Sequence, residues 1–101
     1  MQSKILIKDG QARVELSEKL TFEDHSAFRS LLSTVVGGGA RECVFDLQHL
    51  ISIDSAGLGM LMIAHETAES EGWIMALHRP QGQVKRMLEV TEFGKVISIV
   101  P

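Results

Sequence analysis

The sequence predicts an α/β fold: a mixed β-sheet of about five strands with three to four flanking helices, layer-packed as a single domain over residues 1–101. Three observations predict it. Short β-forming stretches alternate with stretches of helical periodicity, in the order strand, strand, helix, strand, helix, strand, helix, strand. A chain of 101 residues is the size of one core, into which folding buries roughly 65% of the unfolded surface. The hydrophobic content of 45% and charged content of 23% are those of an ordinary globular domain. Right-handed crossovers between parallel strands then bring the helices against the sheet.

The elements follow in order. "KILIKDGQARVELS" gives two strands around Asp9-Gly10, a dipeptide that supplies the positive φ angles of a tight hairpin. Ala12, Val14 and Leu16 alternate with Arg13 and Glu15, so one face of the second strand points inward. Phe28, Leu31, Leu32 and Val35 recur at helical spacing, Thr21 with Asp24 three residues on can cap the start, and Gly37-Gly38-Gly39 stops the helix. "ECVFDL" is a short central strand, followed by a loop through His49 to Asp54. The second helix spans about Ser55 to Ser70 and closes before Gly72. "WIMALH" is the next strand, which Pro80 ends. Val84, Met87 and Leu88 mark a short third helix, and "KVISIV" is the last strand.

Composition excludes several classes of function. Ten Lys and Arg against thirteen Asp and Glu give a net charge of −3, with the basic residues scattered, so no nucleic-acid footprint exists. Cys43 is the only cysteine, which rules out an internal disulfide and a Cys-based zinc site. His25, His49, His65 and His78 show no ligand spacing, so they are read as structural or solvent-facing and no metal is expected. No apolar run approaches the ~18 residues needed to span a bilayer. The expectation is a cytoplasmic protein without direct membrane insertion.

The second helix carries the most information. At 100° per residue, Leu58, Leu61, Met62 and His65 share one face, while Ala56, Met60, Ile63 and Thr67 share roughly the opposite one. One stripe is expected against the sheet, and the second, also apolar, is expected outside as a docking face unless both are buried. Ser55 stands at or near the N-cap and reads in two ways. Its hydroxyl can cap the helix, or it can carry a phosphate, which a helix N-terminus tolerates electrostatically. Gly57 and Gly59 strip side chains from its surroundings and let another protein come close.

Catalytic readings fail on specifics. A nucleophile elbow needs glycine two residues before and after the serine, and Ile53 fills the first place. Leu58 stands where a Ser-x-x-Lys motif needs lysine, and "GLG" lacks the rest of any nucleotide-binding fingerprint. An enzyme is therefore not expected.

"VFDLQHLISIDSAGLGML" resembles the signature of the STAS domain, and within it the bacterial anti-sigma factor antagonists: a strand ending Asp-Leu, a loop, then Asp-Ser-(Ser/Ala)-Gly-Leu-Gly opening a helix. "EGWIMALHRPQGQVKRMLEVTEF" is similar to the family's following strand, loop and Val-x-x-x-Leu helix. The resemblance implies a STAS-like mixed sheet, no cofactor and no catalytic activity. It implies partner switching. The unmodified antagonist binds an anti-sigma factor serine kinase and frees that kinase's client, phosphorylation ends the binding, and a serine phosphatase restores it.

By this resemblance Ser55 is the phosphorylation site, with Asp54 and Gly57 as its motif neighbours. Ala56 stands where many members carry a second serine, which leaves Ser55 the sole acceptor candidate. "SEKLTFEDHSAF" is longer than the Gly-x-Leu-Asp run common in the family, and leaves open which of Asp24, His25 and Ser26 lies nearest Ser55. The expected partner surface is Asp24, Ser52, Asp54, Ser55 and Ala56 with Gly57, Gly59, Met60 and Ile63. The alternative is a constitutive STAS subunit of a membrane lipid transporter ATPase complex, never phosphorylated.

Overall fold

Asp9 and Gly10 take φ angles of 52° and 79°, the geometry of a tight hairpin turn. They join β1 (Gln2–Lys8) to β2 (Gln11–Leu20) as an antiparallel pair with Ile5 opposite Val14. In this computed structural model, which describes residues 1–101, there follow α1 (His25–Gly37), β3 (Glu42–Ile53), α2 (Ser55–Glu71), β4 (Ile74–His78), α3 (Gly82–Val90) and β5 (Ser98–Val100). The five strands form one sheet in the order β1-β2-β3-β4-β5, and every pair after the hairpin is parallel.

That strand order decides where the helices lie. Each crossover steps one place in the same direction, so right-handed connections carry α1, α2 and α3 to the same face. Burial agrees. Val14 and Leu16 of β2, Phe45 and Leu47 of β3 and Leu77 of β4 pack with Phe28, Leu61 and Leu88 from the three helices in one continuous core. The other face is left uncovered and carries the alternate residues, among them Arg13 and Glu15.

Three boundaries differ from expectation. Residues 49–53, expected in a loop, belong to β3. β2 continues to Leu20 and pairs Lys19 with Ser52 and Leu20 with Ile53, so parallel pairing overrides the polarity of Gln48, His49 and Ser52. The first helix starts at His25, after a 3-10 turn at Phe22–Asp24 in which the Thr21 N–H donates to Asp24 Oδ2 at 2.8 Å. The last strand is shorter than "KVISIV", because Phe93–Lys95 closes a second 3-10 turn.

Two buried groups need separate accounts. Cys43 has no exposed surface, and burial pushes its thiol up to about 12. Asp46, 2% exposed, is the one buried charged residue. It sits on the uncovered face, where Arg13 and Arg79 donate to Oδ2 at 2.7 and 2.6 Å and the Gln48 N–H donates to Oδ1 at 3.1 Å. Burial alone raises its carboxyl, but the Gln48 N–H and the two guanidinium groups outweigh that and hold it below the usual 3.8. A buried carboxylate with this many donors is compensated rather than strained.

Candidate functional site: the turn from β3 into α2

β4 pairs only with Glu42–Asp46, so β3 projects past it by seven residues, 47–53, and carries the chain to the start of α2 at one end of the sheet. Asp54 makes the turn. Its backbone is extended (φ −105°, ψ −177°), and its Oδ1 accepts the Gly57 N–H at 2.8 Å as the helix N-cap. Oδ2 accepts the Phe22 N–H at 3.3 Å, and the Asp54 N–H donates to the Leu20 carbonyl at 3.3 Å. One carboxylate thus caps α2 and ties it to the connection between β2 and α1.

Ser55 is therefore not the cap. It is the first residue of the helix, its side chain is exposed, and its hydroxyl makes no hydrogen bond within the protein. The capping explanation for Ser55 falls, because Asp54 performs that role. Ser52 and Ala56 are half-buried on either side, Ser52 opposite Lys19 in the sheet.

The expectation of two opposed stripes on α2 also needs correction. The helix buries one broad face: Gly57, Leu58, Met60, Leu61, Ala64 and Ala68. Met60, expected outside as a contact, is 1% exposed. The reason is α1, which lies beside α2 on the same face of the sheet, so that Phe28 and Leu32 close over Met60. Ile63, at the rim of that groove, stays 45% exposed. The outward stripe is instead Ser55, Gly59 and Ile63, spaced i, i+4, i+8.

The two glycines of the motif have different causes. A Cβ on Gly57 would enter the Leu20 carbonyl oxygen and approach Ile53 Cγ1 to 2.5 Å, so this glycine is required by the close crossing of α2 over the end of β2. A Cβ on Gly59 would meet nothing within 4 Å. Only Gly59 leaves bare surface beside Ser55 without an internal reason. Asp24 is a brace: Oδ1 accepts from the Met1 ammonium at 2.9 Å and Oδ2 from Thr21. Burial alone raises its carboxyl, and the Thr21 N–H together with the Met1 ammonium brings it below the usual value.

Three residues escaped the sequence reasoning. Phe22 and Ile51, flanking the turn, are 71% and 65% exposed. Phe22 falls outside the Phe28-Leu31-Val35 periodicity, which is the one signal that marks it as unburied. Gln83, at the start of α3, bonds the backbone of Ile53 through both amide atoms. Nothing in a lone glutamine thirty positions away announces that.

The site offers a free primary hydroxyl on the surface with no base bonded to it, since the carboxylate of Asp54 is spent on two backbone donors. No three His, Cys, Asp or Glu side chains stand close enough to hold a metal ion, and no helix is long and apolar enough to cross a membrane.

Comparison with known proteins agrees with this architecture. A STAS-domain containing protein of Pseudomonas aeruginosa (strain UCBPP-PA14) is 27% identical over 92 residues, 90% of each chain. A candidate anti-sigma factor antagonist of Thermotoga maritima superposes with a TM-score of 0.87 at 23% identity, over 98% of this chain and 86% of that one. The anti-sigma factor antagonist SpoIIAA has the same fold in its unphosphorylated form, with a TM-score of 0.77 at 18% identity over 99% and 88% of the two chains. The phosphorylated form of the Bacillus SpoIIAA gives 0.74 at 15% identity, over 99% and 92%. The family model described as "Mlab, STAS domain" matches residues 4–101. Since that match takes in all of the sheet but the first two residues of β1, every helix and the turn around Ser55, the chain belongs to the STAS domain family.

Proposed function

We propose that this chain is a phosphorylation-controlled partner-switching regulator, an anti-sigma factor antagonist in its mode of action. Unphosphorylated, it binds an anti-sigma factor serine kinase through the surface around Ser55 and releases that kinase's client. Phosphorylation of Ser55 ends the binding, and a serine phosphatase restores it. The setting is cytoplasmic, where the kinase finds ATP.

The observation that carries this reading is Ser55 itself. It is exposed, relieved of capping by Asp54, and heads a stripe that continues through Gly59 and Ile63. In the transfer Ser55 Oγ attacks the γ-phosphorus of ATP held by the kinase, the bond to ADP breaks, and the hydroxyl proton passes to a base of the kinase. The product brings about −1.5 to −2 charges to the surface beside Asp54. Converting a mostly bound population into a mostly free one takes roughly 3 to 5.5 kcal/mol of differential affinity. Repulsion and desolvation at an interface containing Phe22 and Ile63 are effects of that order.

The test compares Ser55→Ala and Ser55→Asp, both checked for folding, as baits in native lysate, alongside mass spectrometry of the native protein for phosphate on Ser55. A kinase-like ATPase retained by the alanine form and lost from the aspartate form is the expected result. Equal retention by both, with no phosphate on Ser55, overturns the switch. It would favour the second reading, a constitutive STAS subunit of a membrane lipid transporter ATPase complex. The exposure of Phe22, Ile51 and Ile63 also fits that reading, because a permanent partner would cover them.

A further inference from the structure

Ile53 is the last residue of β3 and is 3% exposed. In a parallel sheet, successive residues turn their backbone groups to alternate neighbours. The Asp54 N–H goes to Leu20 on β2, so the N–H and C=O of Ile53 face the opposite side, which β4 has already left. Buried backbone groups in that position require partners. Gln83 supplies both: the Ile53 N–H donates to Gln83 Oε1 at 2.9 Å, and Gln83 Nε2 donates to the Ile53 carbonyl at 2.9 Å. One side-chain amide on α3 takes the place of the missing strand.

We infer that Gln83 is a positioning residue for Ser55. It fixes the end of β3 two residues before the hydroxyl, while Leu20 and Phe22 hold Asp54 from the other flank. The turn is clamped from both sides, and α3 is thereby coupled to the way Ser55 is presented to an incoming protein. The importance of this position rests on the proposed role of Ser55, but the clamp is testable without any phosphorylation.

A thiol at position 55 is the probe. Cys43 is fully buried and its thiol is pushed up to about 12, so it is silent toward 5,5′-dithiobis(2-nitrobenzoate) in the folded protein. In the Ser55→Cys variant the rate of reaction with this reagent then reports position 55 alone. Adding Gln83→Met keeps the side-chain length and removes both polar atoms. Gln83 is exposed, so the double variant is expected to fold. The expected result is a rate at position 55 altered at least threefold, with the Ile53 amide exchanging at least tenfold faster and the β1–β2 amides unchanged. Gln83→Glu retains the acceptor and loses the donor, so it falls between the two.

A faster Ile53 exchange with an unaltered thiol rate overturns the proposal, since Gln83 would then only staple α3 to the sheet. Unaltered exchange overturns it as well. The two readings separate cleanly. A positional effect of Gln83 without any difference between Ser55→Ala and Ser55→Asp in partner binding leaves the clamp standing and removes the phosphorylation switch. The reverse pattern does the opposite.

Discussion

Gly57 and Gly59 lie two residues apart in one helix, and alanine should have opposite effects at them. At Gly57 the new methyl would enter the Leu20 carbonyl oxygen, stand 2.5 Å from Ile53 Cγ1 and 3.2 Å from the Leu20 carbonyl carbon. Two of those atoms are backbone at a sheet pairing that also accepts the Asp54 N–H, so the neighbour cannot rotate away. Overpacking of this kind costs about 1–3 kcal/mol. At Gly59 the methyl meets nothing within 4 Å, and replacing glycine inside a helix gains roughly 0.5–1 kcal/mol. For a domain of this length about 1 kcal/mol moves the melting midpoint by roughly 4–8 °C. Gly57→Ala should therefore melt several degrees below the parent and Gly59→Ala a few degrees above it, read by thermal unfolding on a circular dichroism signal. Partner binding should fall for Gly59→Ala although the fold is firmer, because the bare patch beside Ser55 is filled. A destabilised Gly59→Ala would mean the glycine has an internal role. A stabilised Gly59→Ala with full partner binding would remove the stripe from the interface.

Other substitutions test the remaining parts of the site. Asp54→Ala removes the cap on Gly57 and the tie to Phe22, and should cost about 1–2 kcal/mol by urea unfolding; Asp54→Asn, which keeps an oxygen acceptor, should cost less. Met60→Ala empties a buried position and should destabilise by about 2–5 kcal/mol. Ile63→Ala, at a half-exposed position, should cost about 1 kcal/mol or less and show its effect in partner affinity. Acid sensitivity follows from Asp46 and Asp24, whose folded carboxyls titrate below 3.8. In that window the unfolded chain binds more protons, so their stabilisation is complete above 3.8 and is lost as pH falls from there through the lower folded values. Asp46→Asn should flatten the acid limb of a stability–pH profile, and an unchanged limb would show that the Arg13 and Arg79 pairs contribute nothing there.

Much of this was legible from residue type and spacing. Asp9-Gly10 marks its turn because positive φ selects such residues, and β2 declares itself by the alternation of Ala12, Val14 and Leu16 with Arg13 and Glu15. What failed depended on neighbours distant in sequence. "QHLISI" has no strand signature, and it becomes strand only because β2 reaches Leu20 to pair with it. Met60 points away from the sheet side of α2 in any helical projection, and it is buried because α1 happens to lie there. Ser55 and Asp54 are both good capping residues, and sequence cannot say which takes the role; the extended backbone at Asp54 decides it. The motif was visible, whereas the division of labour inside it was not.

That division matters for the proposed switch. A phosphate on Ser55 cannot take over the cap, since Asp54 already holds the Gly57 and Phe22 N–H groups. It arrives as an added charge beside an existing one. For charges of −2 and −1 separated on the order of 6 Å, the repulsion is about 1.4 kcal/mol in water and about 5.5 kcal/mol at an effective dielectric constant near 20. On the free surface the modification is mild, and helix α2 keeps its cap. Under a bound partner the same pair loses solvent screening, so the repulsion grows and that increase falls on the complex. In the proposed switch, a serine with no structural duty, next to a carboxylate that has one, would let phosphorylation act on binding while leaving the fold unchanged.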